Sequence, residues 1–113
     1  MTGARIDLGQ FTGSEPTSLA NWSGEVYVRV RGVHLTEPEW RAIFEFGVEL
    51  AVRRGDLDGV RSMIRLAANY FDSIGDQFGC LPYIEETMQR VGDNEAARTV
   101  VLECTRDIMV GNS

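Results

Sequence analysis

The tetrapeptide Thr36-Glu37-Pro38-Glu39 constrains the fold of this chain more than any other feature. A threonine hydroxyl accepts from the backbone N–H three residues on, and a glutamate at that third position reaches back to the threonine N–H. A proline inside the first turn loses no helical hydrogen bond. The spacing therefore predicts a helix starting at Thr36. Trp40, Ile43, Phe44, Gly47, Leu50 and Ala51 then recur at helical intervals until Gly55. Arg41, Glu45, Glu49 and Arg53 fall on the opposite side at four-residue steps, which predicts a solvated face of self-neutralising charge.

Three more helices follow by the same reasoning. Val60, Met63, Ile64, Ala67, Phe71 and Ile74 mark one over about 58–73, and Gly75 and Gly79 interrupt the chain after it. Ile84, Met88 and Val91 mark a short one between Pro82 and Gly92. Ala97, Val100, Val101, Cys104 and Ile108 mark a last one through about Val110, capped by Asp93 or Asn94.

The first third reads differently. Val26, Val28 and Val30 alternate with Tyr27, Arg29 and Arg31, the period-2 pattern of a half-buried strand rich in β-branched residues. Arg5 to Phe11 alternates more weakly around Ile6 and Leu8, and 12–23 has loop composition with room for a third strand. The expected fold is α+β: a small N-terminal antiparallel hairpin or sheet of two to three strands, followed by about four helices packed on one face. At 113 residues it is one domain, with a β-rich part over 1–35 and a helical part over 36–113. Two strands alone are marginal in water, so the open sheet edge offers a place for a second copy to form a homodimer.

The chain has no lysine; all 11 basic residues are arginine. Schiff-base, P-loop and kinase-type lysine chemistry are thereby excluded, and the single histidine, His34, excludes two-histidine metal sites. Arginine in place of lysine throughout points to GC-rich coding, as in a high-GC bacterium or one of its viruses. Met1 to Gln10 has neither the basic nor the apolar region of a secretory signal, and no apolar run approaches membrane-spanning length. The expected compartment is the cytoplasm of that bacterium, or of the host if the chain is viral. Cys80 and Cys104, 24 residues apart, fit reduced core thiols better than a disulfide.

Motif look-alikes fail on their flanks. Asp56-Leu57-Asp58-Gly59 resembles part of a calcium loop, but its first and last ligand positions would be Arg54 and Arg65. A Cys80–His34 pair or a carboxylate pair could serve a small enzyme, yet no spacing singles either out. The expectation is therefore no enzyme, no cofactor and no metal.

With 17 acids and a net charge of −6, direct binding to nucleic acid is disfavoured. The acids are also unevenly placed. Between Arg65 and Arg90 there is no basic residue, while Asp72, Asp76, Glu85 and Glu86 fall there, interleaved with Tyr70, Phe71, Phe78 and Tyr83. Asp72, Asp76, Phe78, Tyr83, Glu85 and Glu86 thus form the candidate surface for a basic protein partner. Tyr27, Arg29 and Arg31, with Arg5 beside them, form a secondary interface candidate on the outward strand face. The expected function is a small acidic protein-binding module of inhibitor, immunity, anti-defence or regulatory type, with no membrane partner. The alternatives are a structural or assembly component of a virus or bacterial complex, and a small carboxylate- or Cys/His-based enzyme.

Overall fold

The computed structural model describes residues 9–111 and consists of helices and their connections. The helices are α1 (Gly9–Thr12), α2 (Leu19–Val30), α3 (Glu37–Arg54), α4 (Leu57–Ser73), α5 (Leu81–Val91) and α6 (Glu95–Gly111). Among the described residues there is no strand, so the α+β expectation and its open sheet edge are both overturned.

The segment expected as the strongest strand is the second half of α2. Ser18 caps this helix by accepting from the Asn21 N–H at 3.2 Å. Leu19, Trp22, Ser23, Val26 and Val30 are its buried residues, a stripe at helical spacing, and Val28 points away with 64% of its surface exposed. The β-branched run pulls toward a strand by well under 1 kcal/mol per residue, and burial of a leucine, a tryptophan and two valines outweighs it. The other expected strand began at Arg5; residues 5–8 lie outside the described residues, and Gly9–Thr12 is a helical turn. Phe11 from that turn enters the core, and its carbonyl accepts from Trp22 Nε1 at 3.0 Å.

The four later helices form where expected. Both halves of the capping box are made: the Glu39 N–H donates to Thr36 Oγ1 at 3.3 Å, and the Thr36 N–H donates to Glu39 Oε1 at 2.8 Å. Gly55 ends α3 in the left-handed region at φ 64°, a backbone state that costs a residue with a Cβ. Asp56, the calcium-loop look-alike, is the N-cap of α4 and accepts from the Gly59 N–H at 2.9 Å. Asn94 caps α6 by accepting from the Ala97 N–H at 3.1 Å.

Helix α4 is the centre of the bundle and packs against α2, α3, α5 and α6. Its approach to α3 depends on Gly47, where an added Cβ would lie 2.4 Å from Met63 Sδ and 2.9 Å from the Trp22 ring. One continuous core runs from Phe11 and Leu19 through Trp40, Phe44, Met63, Ile64 and Tyr70 to Val101 and Cys104. Cys80 and Cys104 are buried in it as free thiols. Among the described residues no helix is long and apolar enough to cross a membrane.

Candidate functional site

The connection from α4 to α5, Ile74 to Cys80, carries the centre of the candidate surface, and its backbone is held by its own hydrogen bonds. The Asp76 N–H reaches back to the Phe71 carbonyl at 2.8 Å, and Gly75 reverses the chain at φ 81°. The Gly79 N–H donates to the Asp76 carbonyl at 2.9 Å, and the Leu81 N–H to the Phe78 carbonyl at 3.2 Å. Gly79 sits so close to Phe71 and the Asp76 carboxylate that a Cβ would come within 2.6 Å of both. The turn is pinned from below by Cys80, whose side chain is buried and whose thiol faces the Gln77 carbonyl at 3.7 Å.

This frame puts Phe78 in solvent with 49% of its surface exposed, the most exposed aromatic ring among the described residues. Asp72, Asp76 and Glu85 are exposed as well, and none makes an ion pair within the described residues. These four side chains are the part of the candidate surface that the fold leaves available. Asp72 also lies in the last turn of α4, where the helix dipole disfavours an anion and a cationic neighbour would relieve it.

Tyr83 and Glu86 are turned the other way. Cys80, Tyr83, Ile84, Thr87 and Val91 make the buried side of α5, a helical stripe that the sequence carries but that counting only aliphatic residues overlooks. Tyr83 stacks on Phe71 with ring centres 5.6 Å apart, and its hydroxyl donates to Glu37 Oε2 at 2.9 Å. Glu86 accepts from Arg41 at 2.8 Å. Arg41 is therefore no member of a merely solvated face. It also bonds Glu37 at 2.7 Å and Glu45 at 2.9 Å, and it lies over the Tyr83 ring at 5.4 Å. Arg90 completes the bracket at 3.7 Å from Glu45 and 3.9 Å from Glu86. Solvent screens partly exposed pairs of this kind, so the bracket orients α5 on α3 more than it holds it there.

The bracket sets a pH dependence. The Tyr83 hydroxyl, and after it Arg41, hold the Glu37 carboxyl below the ordinary glutamate range. Burial, and then the bond to Glu37, push Tyr83 from 10.0 up to about 12. The Glu37 contribution is present above its ordinary value and lost as pH falls through the lowered one. The Tyr83 contribution is present below 10.0 and lost as pH rises toward about 12. Burial also raises Tyr70, Cys80 and Cys104, so they share the alkaline loss. Tyr83→Phe is expected to reduce, without abolishing, the fall in urea midpoint between neutral and strongly alkaline pH. An alkaline limb identical to that of the unaltered chain would remove Tyr83 from this account.

The secondary candidate does not come together as a face. On a helix, positions 27 and 31 share a side and position 29 lies opposite. Tyr27 is half-buried against the core, Arg29 bonds Gln10 Oε1 at 2.6 Å, and Arg31 is exposed at the end of α2. Arg5 lies outside the described residues. His34 is exposed in the α2–α3 connection while the Cys80 thiol is buried, and no hydrogen bond joins them.

No protein-family model matches the chain, and neither a curated protein nor a solved structure matches it.

Proposed function

We propose that this chain is a small acidic protein-binding module that covers a basic surface of a partner protein, as an inhibitor, immunity protein, anti-defence factor or regulator does. The observation that carries this reading is the combination, at the α4–α5 turn, of unpaired carboxylates with an exposed aromatic ring. Asp76 and the half-exposed Phe78 lie in the turn and Asp72 and Glu85 on the two helices it joins, and among the described residues none of these acids is paired with an arginine. Elsewhere Glu15, Glu37, Glu45 and Glu86 are paired with arginines, whereas Glu25, Glu49, Asp93, Glu95 and Asp107 are exposed without an ion pair among the described residues; what sets the turn apart is that it also carries the exposed Phe78. Uncompensated charge on a turn fixed by its own hydrogen bonds steers an oppositely charged surface into contact, and an aromatic ring at its centre supplies the apolar area that slows release. Catalysis, cofactors and nucleic acid have no part in this reading. It places the protein in the cytoplasm of a high-GC bacterium, or of the host cell if its source is viral.

The test is capture from the native host by the intact chain and by the Asp72→Arg, Asp76→Arg variant, read by mass spectrometry. The expected result is a protein with a basic surface, retained by the unaltered chain, released as salt rises and lost with the variant. Equal retention of that protein by both chains would overturn the proposal. The substitutions fall on exposed side chains that make no ion pair, so thermal midpoints should differ little.

A further inference from the structure

Helix α6 carries an exposed ridge that the core leaves uncovered. Ala97, Val100, Val101 and Cys104 face inward. Arg98, Leu102, Arg106 and Met109 follow one another at four, four and three residues along the outer side, a line about 16 Å long. Leu102 is 59% exposed and Met109 50%, two of the largest apolar exposures in the structure. Neither arginine makes an ion pair among the described residues, and the Arg98 guanidinium donates to the Gly92 carbonyl at 2.9 Å. Glu95, exposed three residues before Arg98, starts the same line, so the ridge carries two arginines against one carboxylate and is apolar with a net positive charge in a chain of net charge −6.

The α4–α5 turn and the helix ends beside it have the opposite character: they carry the exposed Phe78 ring and three exposed carboxylates, Asp72, Asp76 and Glu85, with no ion pair among the described residues. We infer that the ridge docks on the acidic turn of a second copy of the chain, with Arg98 and Arg106 against the carboxylates and Leu102 and Met109 against Phe78. This rests on the reading of the turn as a binding surface and names one occupant of it. A copy held there would mask the turn until a more basic partner displaced it. The overall charge of each copy opposes the contact, but at 0.1 M salt charges farther apart than about 10 Å are largely screened, while the pairs in contact are not.

The inference is tested by sedimentation of the full chain at 0.1 M salt, using two charge reversals. Asp72→Arg with Asp76→Arg makes turn and ridge both positive; Arg98→Glu with Arg106→Glu makes both negative. Each variant alone is expected to self-associate at least about tenfold more weakly than the unaltered chain. An equimolar mixture restores opposite charge at both contacts, and association is expected to return. A monomeric unaltered chain at millimolar concentration would overturn the inference. So would unweakened association of the Arg98→Glu, Arg106→Glu variant, or a mixture that stays dissociated. Leu102→Asn provides an arm that changes no charge and is expected to weaken association as well. The two readings fail separately: the ridge variant keeps the acidic turn, so host capture by it should persist even where self-association is absent.

Discussion

Trp40→Ala is expected to lower the unfolding free energy by about 4 kcal/mol, a large share of the roughly 5–15 kcal/mol that a domain of this size holds in reserve. Trp40 is 1% exposed and stands where three helices meet. Its ring stacks on Tyr70 with centres 4.7 Å apart and 11° from parallel, and meets Phe71 and Tyr83 edge-on at 5.4 and 5.9 Å. Alanine removes all of these contacts and leaves a cavity that the surrounding rings are too rigid to fill. At roughly 4 °C per kcal/mol, the midpoint should fall by about 15 °C or more. A sharper form of the prediction compares phenylalanine at the two tryptophans. Trp22, at 8% exposure, is the less buried of the two, so burial alone ranks Trp40→Phe as the costlier change. Hydrogen bonding ranks them the other way. Trp22 Nε1 donates to the buried turn at Phe11, whereas Trp40 Nε1 is buried without a partner. Trp22→Phe strands a carbonyl, and Trp40→Phe removes an unsatisfied donor, a difference of about 1–3 kcal/mol. Urea unfolding of the two variants decides it; a larger loss for Trp40→Phe would show that cavity volume dominates.

The helical two-thirds of the fold was legible because its signals were local and of one kind. Thr36 and Glu39, and Asn94 and Ala97, are within three residues of each other, and the structure joins each pair by a hydrogen bond; the Asp56 cap on Gly59 is equally local but was hidden by its likeness to a calcium loop. Residues 19–30 were misread because two periodicities overlap there. Val26, Val28 and Val30 satisfy a period of two, while Leu19, Trp22, Val26 and Val30 satisfy the helical one. The longer pattern prevails because it includes the tryptophan, and because Ser18 supplies a start signal that the loop-like composition of 12–23 concealed.

At the candidate site the sequence located the exposed acids but missed what neutralises the others. Arg41 and Glu86 are 45 residues apart, and nothing in either neighbourhood announces their contact. Arg41 already had Glu37 and Glu45 within helical reach, so its charge looked spent. A guanidinium, with five donors in a planar fork, serves three carboxylates at once. The effect is to subtract Glu86 and Tyr83 from the candidate surface and leave Asp72, Asp76 and Glu85 as its unpaired acids. The sequence-level cluster of six becomes a smaller patch with a single aromatic centre.

Tyr70→Phe is expected to cost about 2 kcal/mol although it leaves the packed ring in place and removes a single oxygen atom. Tyr70 is 1% exposed, and its hydroxyl is the only part the substitution removes. That hydroxyl accepts from the Leu35 N–H at 2.8 Å and donates to the Val33 carbonyl at 2.7 Å. One side chain of α4 thereby closes the α2–α3 connection, immediately before the capping box that starts α3. Two stranded backbone groups would together cost about 2–6 kcal/mol if fully buried and without alternatives. They have one: the Leu35 N–H also reaches the Val33 carbonyl at 2.9 Å, and the connection is close enough to solvent for water to enter. The expected loss therefore lies at the low end of that range. Ser73 holds the same connection farther back, accepting from the Gly32 N–H at 2.9 Å, so Tyr70→Phe should loosen residues 33–36 without releasing the loop as a whole. Hydrogen exchange separates this from a general loss of stability. Amide protection at Leu35 and Thr36 should fall further than protection at Ile64 or Val101 in the core. A loss below about 0.5 kcal/mol, or a uniform fall across the chain, would mean that the stacked ring of Tyr70 holds the connection and its hydroxyl does not.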